Sequence, residues 1–246
     1  MNYEMTFASH KHNSHLVTFH DGKRYVVKFY DTKKPKALIN EWLAYQIAKY
    51  MNLPIPHARL VSLPDTLVPI PDDTTIVKTK TQFASAYIDG KNAHETTLHR
   101  IANADQLAGV IVFDYWLYNR DRTRKNVIIE QNGEHQTLWI IDHADICGSF
   151  AWTVEQLKQL PQTLIESATH RMMAPFVTVQ QLEEAIAVMQ TMPTLLLEEM
   201  TKHMPDDWPM TEEERKQLVH TLVYRRDHVV PHLIRKCCKQ LWPELA

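Results

Sequence analysis

Glycine is scarce in this chain: 5 in 246, where average usage gives roughly 17. Gly22, Gly90, Gly109, Gly133 and Gly148 never form G-x-G, and none precedes Lys-Ser or Lys-Thr. That excludes a dinucleotide-binding fingerprint and a Walker A loop in their usual forms. It also argues against a flexible low-complexity linker. A nucleotide, if bound, is bound without the usual glycine cradle. Cysteine is sparse as well. Cys147, Cys237 and Cys238 form no C-x-x-C pair, so neither a disulfide framework nor a zinc ribbon is written here. No charge sign dominates: 27 basic and 29 acidic residues leave a formal net charge of −2, which gives no support to non-specific nucleic-acid binding. No apolar run approaches the ~18 residues of a spanning helix. The N-terminal Met-Asn-Tyr-Glu-Met lacks the basic and apolar regions of a signal peptide. The expectation is a cytoplasmic globule with no membrane span and no nucleic-acid partner.

What is present changes character part-way along. Residues 15–20 and 23–30 read as strands flanking Asp21-Gly22, a hairpin signal. With a two-residue turn there, Val17 pairs with Val26 and His15 with Lys28. Residues 36–51 repeat Leu38, Ile39, Trp42, Leu43, Ile47 and Met51 at helical spacing, and Pro54 and Pro56 stop that helix. Strands follow at 57–63 and 75–80, with an extended piece at 83–88 ending at Asp89-Gly90. Beyond lie an apolar helix at 104–118, a polar loop at 119–125, and strands 126–130 and 137–142 around Asn132-Gly133. From Thr153 the chain reads as helical, over roughly 153–159, 178–190, 193–203 and 211–238. The simplest architecture is a strand-rich lobe over 1–90 and a larger, mainly helical lobe over 91–246, an α+β fold joined near 83–92.

The most informative stretch is Asn119-Arg-Asp121-Arg-Thr-Arg-Lys-Asn126. An Asp and an Asn five apart sit between an apolar helix and a strand, and a hairpin returns Asp142 beside Asn126. Asn126 and Asp142 are hard oxygen ligands suited to Mg²⁺, which takes few protein oxygens and fills its shell with water and phosphate. Phosphoryl transfer uses such a set: an Asp takes the proton of the attacking hydroxyl, while an Asn and a second Asp hold the metal. The plain alternative is a solvated polar loop, and D-x-x-x-x-N alone favours it. Helix, loop, hairpin and terminal Asp together reverse that preference.

The N-terminal half offers an independent check. A kinase also needs a strand lysine on the phosphates and a helix glutamate paired with it. Lys28 ends Val26-Val-Lys28, and Glu41 lies 13 residues on, in the first turns of the next helix. In the two-residue-turn register, Val17 and Val26 form an apolar roof over an adenine.

Asn119-Arg-Asp121-Arg, Asn126 and Ile141-Asp142-His143, with Val27-Lys28 and Asn40-Glu41, resemble the HipA-like kinases, bacterial relatives of the toxin kinase HipA and more distantly of the phosphatidylinositol 3- and 4-kinases. The resemblance runs from about residue 10 to 150. It implies a two-lobed protein-kinase-like fold, ATP with Mg²⁺, and transfer to a hydroxyl acceptor, by analogy a protein Ser/Thr. Carried over by motif, Asp121 is the catalytic base, Asn126 and Asp142 are metal ligands, Lys28 binds phosphate, and Glu41 is its partner.

Some features depart from that pattern. The loop over the phosphates, Ser9 to Ser14, contains no glycine, and backbone approach to a phosphate is harder with Cβ atoms present. A second reading follows: a pseudokinase that binds nucleotide without turnover and serves as an interaction module. Asp145 reads either as a further metal ligand or as a helix cap. Arg122, Arg124 and Lys125 read either as contacts for an acidic substrate or an activating phosphate, or as loop solvation. Asp114, on the apolar helix, is placed to brace the catalytic loop from behind. His10, His12 and His15 form an H-x-H-x-x-H cluster for which transition-metal binding is the weaker reading.

Overall fold

The computed structural model describes residues 1–7, 13–64, 66–69, 75–165 and 167–241. Among them are ten strands, all before residue 141, and eight α-helices, of which six follow the last strand. In the first lobe, β1 (Asn2–Thr6), β2 (Ser14–Thr18), β3 (Arg24–Lys28), β5 (Ala58–Val61) and β7 (Gln82–Ala86) make one antiparallel sheet in the order β1-β2-β3-β7-β5. Short strands β4 (Tyr30–Asp31) and β6 (Ile76–Val77) pair separately. In the second lobe, β8 (Lys91–Asn92), β9 (Val127–Asn132) and β10 (His135–Ile140) form a three-stranded sheet. The chain passes from one sheet to the other between Ala86 and Lys91. β1 lies in a stretch that the periodicity left unassigned.

The β2–β3 hairpin corrects the expected register. Phe19 accepts from Gly22 N–H (3.0 Å) and donates to Lys23 O (2.9 Å), and Gly22 sits at φ +72°. This is a three-residue loop with a bulged, left-handed glycine, not a two-residue turn. The extra residue slips the pairing by one, so Val17 faces Tyr25, Leu16 faces Val26, His15 faces Val27 and Ser14 faces Lys28. A one-residue slip moves a side chain to the other face of the sheet. Val17 is therefore not a roof residue. It is buried with Phe19, Tyr25, Val27, Phe29 and Ala84 in a small core on the opposite face. Leu16 takes its place beside Val26, on the face that carries Lys28.

Helix α1 (Ala37–Tyr50) buries Leu38, Ile39, Leu43, Ala44, Ile47 and Ala48 in the main core. It ends in a paired cap: Leu53 N–H reaches Ala48 O (2.9 Å), Asn52 N–H reaches Lys49 O (3.2 Å), and Asn52 takes φ +53° where a glycine is usual. Helix α2 (Leu107–Trp116) is apolar on every side and buried along its whole length, as befits the axis of a core. After it come α3 (Val154–Lys158), α4 (Ala168–Met173), α5 (Val179–Thr191), α6 (Thr194–Lys202), α7 (Glu212–Tyr224) and α8 (Val230–Leu241); α5 and α8 pack against α2, and Trp116 of α2 donates to Leu222 O of α7 (2.8 Å). α4 was not foreseen. The span read as one helix from 211 is broken by a π-helical turn at Arg225–Val229. No helix among the described residues is long and apolar enough to cross a membrane.

Gly90 is needed at the crossing between sheets. A Cβ there would stand 2.6 Å from the Ile129 carbonyl oxygen and 2.7 Å from Ile128 Cγ2. Backbone cannot yield as a side-chain tip can. Gly90→Ala is therefore expected to destabilise by about 1–3 kcal/mol. Gly109→Ala, which would meet only the mobile end of Leu53 at 2.5 Å, should lose less. Urea midpoints in the order wild type, G109A, G90A check this; equal midpoints for the two variants contradict it.

Candidate active site

The catalytic-loop candidate begins where α2 ends. Asn119 N–H bonds Asp114 O (2.8 Å) and Tyr118 N–H bonds Tyr115 O (3.4 Å), the same cap as on α1, with Tyr118 at φ +48°. Strain at this non-glycine position is offset by the Arg225 guanidinium, 5.2 Å from the Tyr118 ring. Arg225 also donates to Tyr115 O (2.6 Å), Trp116 O (2.9 Å) and Pro161 O (2.9 Å). Cys147 N–H caps Leu117 O at 2.7 Å. The last carbonyls of α2 are thus covered by a cation from the C-terminal helices and by the loop that follows Asp142.

Within the loop, Asn119 receives Asp121 N–H on its Oδ1 (3.2 Å) and donates its amide to Asp114 Oδ1 (2.9 Å). Asn126 donates to Asp121 O (2.7 Å) and to Asp121 Oδ2 (3.0 Å). Asn126 spends its N–H₂ group on Asp121, so its carbonyl oxygen is the atom left for a cation. Asp121 itself is exposed. β9 and β10 turn through Gly133-Glu134, with positive φ at Gly133 only. Ile141 N–H bonds Asn126 O (3.0 Å), which sets Asp142 one residue past Asn126, as the hairpin predicted. Asp142 takes φ +56°.

Lys28 joins the two lobes. Its Nζ lies 2.5 Å from Glu41 Oε1 and 2.8 Å from Asp142 Oδ1. Burial opposes its charge, but the Asp142 and Glu41 carboxylates overcome that and hold the ammonium above its usual range. Burial likewise opposes charge on Glu41, and Lys28 and then His143 bring it below the usual carboxylate range. His143 is buried, and that burial lowers its imidazole below the usual value; its Nδ1 stands 3.7 Å from Glu41 Oε2. Beside Glu41, Asn40 donates to Ala144 O (2.7 Å), Ile146 O (3.2 Å) and Ser149 O (3.2 Å) and accepts from Trp152 Nε1 (2.9 Å). α1 is thereby fastened to the loop after Asp142.

Asp145 caps no helix through its side chain. Burial and the negative charge of Asp121 and then Asp142 raise its carboxyl above the usual value. Asp145 thus shares the negative field of Asp121 and Asp142, and Lys34 is the cation that acts on it. Among the described residues, no three His, Cys, Asp or Glu side chains close on one point as a metal cage. Asn126 Oδ1 with Asp142 fits a cation that completes its shell with phosphate and water. Ser14, at the end of the glycine-free loop, is buried and pairs with Lys28. Asn13 forms two bonds with the Phe29 backbone (2.9 and 3.0 Å). Ser9 to His12, including His10, lie outside the described residues. His15 is buried, with Nδ1 3.0 Å from Thr6 Oγ1.

Arg122 is neither a substrate contact nor a phosphate receptor. Its side chain has zero exposure and meets Asp114 through Nε (3.1 Å to Oδ2) and Nη2 (3.2 Å to Oδ1). Its Nη1 holds Asn126 O (3.1 Å) and Ile141 O (2.9 Å). Arg124 and Lys125 are exposed. The Asp114 brace was legible, but His170, 3.0 Å from Asp114 Oδ2, and Arg225 were not. Burial opposes charge on Asp114, yet Arg122 and His170 keep its carboxyl below the usual range. That stabilisation is complete above the unfolded carboxyl value of about 4 and is lost as pH falls through the lower folded value. Asp114→Asn is expected to cost about 3–5 kcal/mol at pH 7, and the gap to wild type should narrow below about pH 4. Urea unfolding at both pH values checks this; equal stability at pH 7 counts against the brace.

The comparisons bear on the fold and the family. No curated protein matches the chain significantly. The proinflammatory kinase CtkA of Helicobacter pylori has the same fold at TM-score 0.65 and 14% identity, over 96% of this chain and 95% of that one. Shewanella oneidensis HipA, in a complex with HipB and operator DNA, aligns at TM-score 0.46 and 11% identity over 94% of this chain and 67% of that one. The family model described as HipA-like kinase matches residues 7–245, almost the whole length, and the chain belongs to that family.

Proposed function

We propose that the protein is an ATP- and Mg²⁺-dependent phosphotransferase acting on a hydroxyl acceptor, a protein Ser/Thr by family analogy, in the cytoplasm. The observation that carries this reading is the buried ion cluster of Lys28 with Glu41 and Asp142, set one residue from Asn126 across the β9–β10 end. In this reading Lys28, held charged and steadied by Glu41, aligns the phosphate tail. Leu16 and Val26 cover the adenine, and the lobes 1–90 and 91–246 enclose the nucleotide. Asn126 and Asp142 hold Mg²⁺, which supplies charge neutralisation at the phosphates.

Asp121 performs the proton step. Its Oδ2 accepts from Asn126, which fixes the carboxylate plane. Oδ1 takes the proton from the acceptor hydroxyl as that oxygen bonds the γ-phosphorus and the bond to the ADP oxygen breaks. The exposure of Asp121 allows a protein acceptor to reach it. A general base of this kind contributes about 10²–10⁴-fold.

Asp121→Ala is therefore expected to lower phosphate transfer from radiolabelled ATP by that factor, while ATP with Mg²⁺ still raises the thermal midpoint. Lys28→Met should abolish the midpoint shift. Autophosphorylation and transfer to a mixed Ser/Thr peptide library provide the activity readout. Unimpaired transfer by Asp121→Ala overturns the assignment. An ATP shift in wild type with neither transfer nor hydrolysis supports the pseudokinase instead.

A further inference from the structure

The Asp114 carboxylate lies at zero side-chain exposure and meets four donor atoms. Three belong to the loop it braces: Asn119 Nδ2, Arg122 Nε and Arg122 Nη2. The fourth, His170 Nε2, comes from α4, 56 residues further along the chain. The neighbouring Ser167 accepts from the N–H groups of Thr169 and His170 and donates to Arg122 O at 3.1 Å. Ile165 bonds the Tyr115 hydroxyl through its N–H (3.2 Å) and its carbonyl (3.4 Å). The His170 ring stacks on Tyr115 with centroids 6.0 Å apart. Ile165, Ser167 and His170 therefore fasten this part of the helical lobe to the end of α2 and to the loop backbone.

The bonding fixes the role of the ring. Asp114 is an ionised acceptor, so Nε2 carries the hydrogen. His170 Nδ1 is buried with no hydrogen-bond partner among the described residues, so the ring is held by one bond and one stacking contact. Asp121 is exposed, and its polar contacts come from Asn119, Thr123 and Asn126 within its own loop. Asn119 and Arg122 flank it in sequence, and both bond Asp114. A rotation of the Asp114 carboxylate reaches Asp121 from both sides.

We propose that His170 and Ser167 are positioning residues for Asp121. They hold the Asp114 carboxylate and the Arg122 carbonyl in the arrangement that aims the loop. The inference rests on the phosphotransferase reading for its effect on rate, but not for its effect on loop order.

The test uses the full-length protein and three variants. His170→Phe keeps a ring on Tyr115 without the donor, His170→Gln restores a donor near Nε2, and Ser167→Ala removes one oxygen with little change in volume. His170→Phe is expected to lower kcat by about 10–100-fold with the KM for ATP within about threefold of wild type, since a misplaced group loses rate rather than ground-state binding. His170→Gln should return to within about threefold of wild type, and Ser167→Ala should fall between. Hydrogen exchange over residues 119–126 should speed up in His170→Phe and return toward wild type in His170→Gln. Unchanged kcat and exchange in His170→Phe, or equal impairment of the Phe and Gln variants, overturns the proposal. If His170→Phe does not fold, Ser167→Ala decides by the same two measurements. If wild type transfers no phosphate, the phosphotransferase reading fails, while exchange at 119–126 still decides whether His170 holds the loop.

Discussion

A carboxylate buried at the wrong end of a helix is the constraint on which the rest of this structure depends. Asp114 sits in the last turn of α2, where unsatisfied carbonyls already present partial negative charge. A buried charge in such a place is tolerated only when it is paired and its lone pairs are filled. Arg122, Asn119 and His170 fill those lone pairs, and a second guanidinium covers the carbonyls beside them. Arg122 bonds the carboxylate itself. Arg225, brought in by the π-helical turn, covers the carbonyls of Tyr115 and Trp116. Burial lowers Arg225 to about 10, so it stays charged at neutral pH. The Cys147 thiol beside it is pushed by burial up to about 12 and remains protonated. Because Arg122 also holds the carbonyls of Asn126 and Ile141, the same balance sets the 119–126 loop and the hairpin end that carries Asp142.

The Lys28 cluster follows a different rule. Lys28 meets Glu41 and Asp142, and Lys34 acts on the nearby Asp145, so the carboxylates outnumber the cations. Such an excess is costly alone and favourable beside a divalent cation. Asn40, one residue from Glu41, ties the helix to the loop after Asp142 through three carbonyls. Lys28, Glu41 and Asp142 are therefore held together by both the ion pairs and the bonds of the neighbouring Asn40.

Much of this was legible in the chain because its signals are local. The β9–β10 hairpin is announced by Gly133, α1 by its apolar spacing, and the loop by Asp121 and Asn126 five apart. The slip at the first hairpin came from a turn dipeptide that serves two loop lengths: Asp21-Gly22 sits equally well in a two-residue turn and in a bulged three-residue loop. One residue decided whether Leu16 or Val17 faces Lys28. His170 and Arg225 were out of reach for another reason. Their partners lie 56 and 109 positions away, and a buried His or Arg in a helix has the same local pattern as an exposed one until the packing is known.

The capping positions at Asn52 and Tyr118, and the left-handed Asp142 and Cys147, bear on the chain before it folds. Each holds positive φ with a side chain attached, a conformation that costs about 1–2 kcal/mol. Glycine would remove that strain, yet it would also enlarge the set of shapes the unfolded chain can adopt, a difference of about 0.4–1 kcal/mol per position. A chain with 5 glycines in 246 residues has a comparatively stiff unfolded ensemble and gives up less freedom on folding. Part of the strain stored at the ends of α1 and α2 is thus matched by entropy the unfolded chain never had.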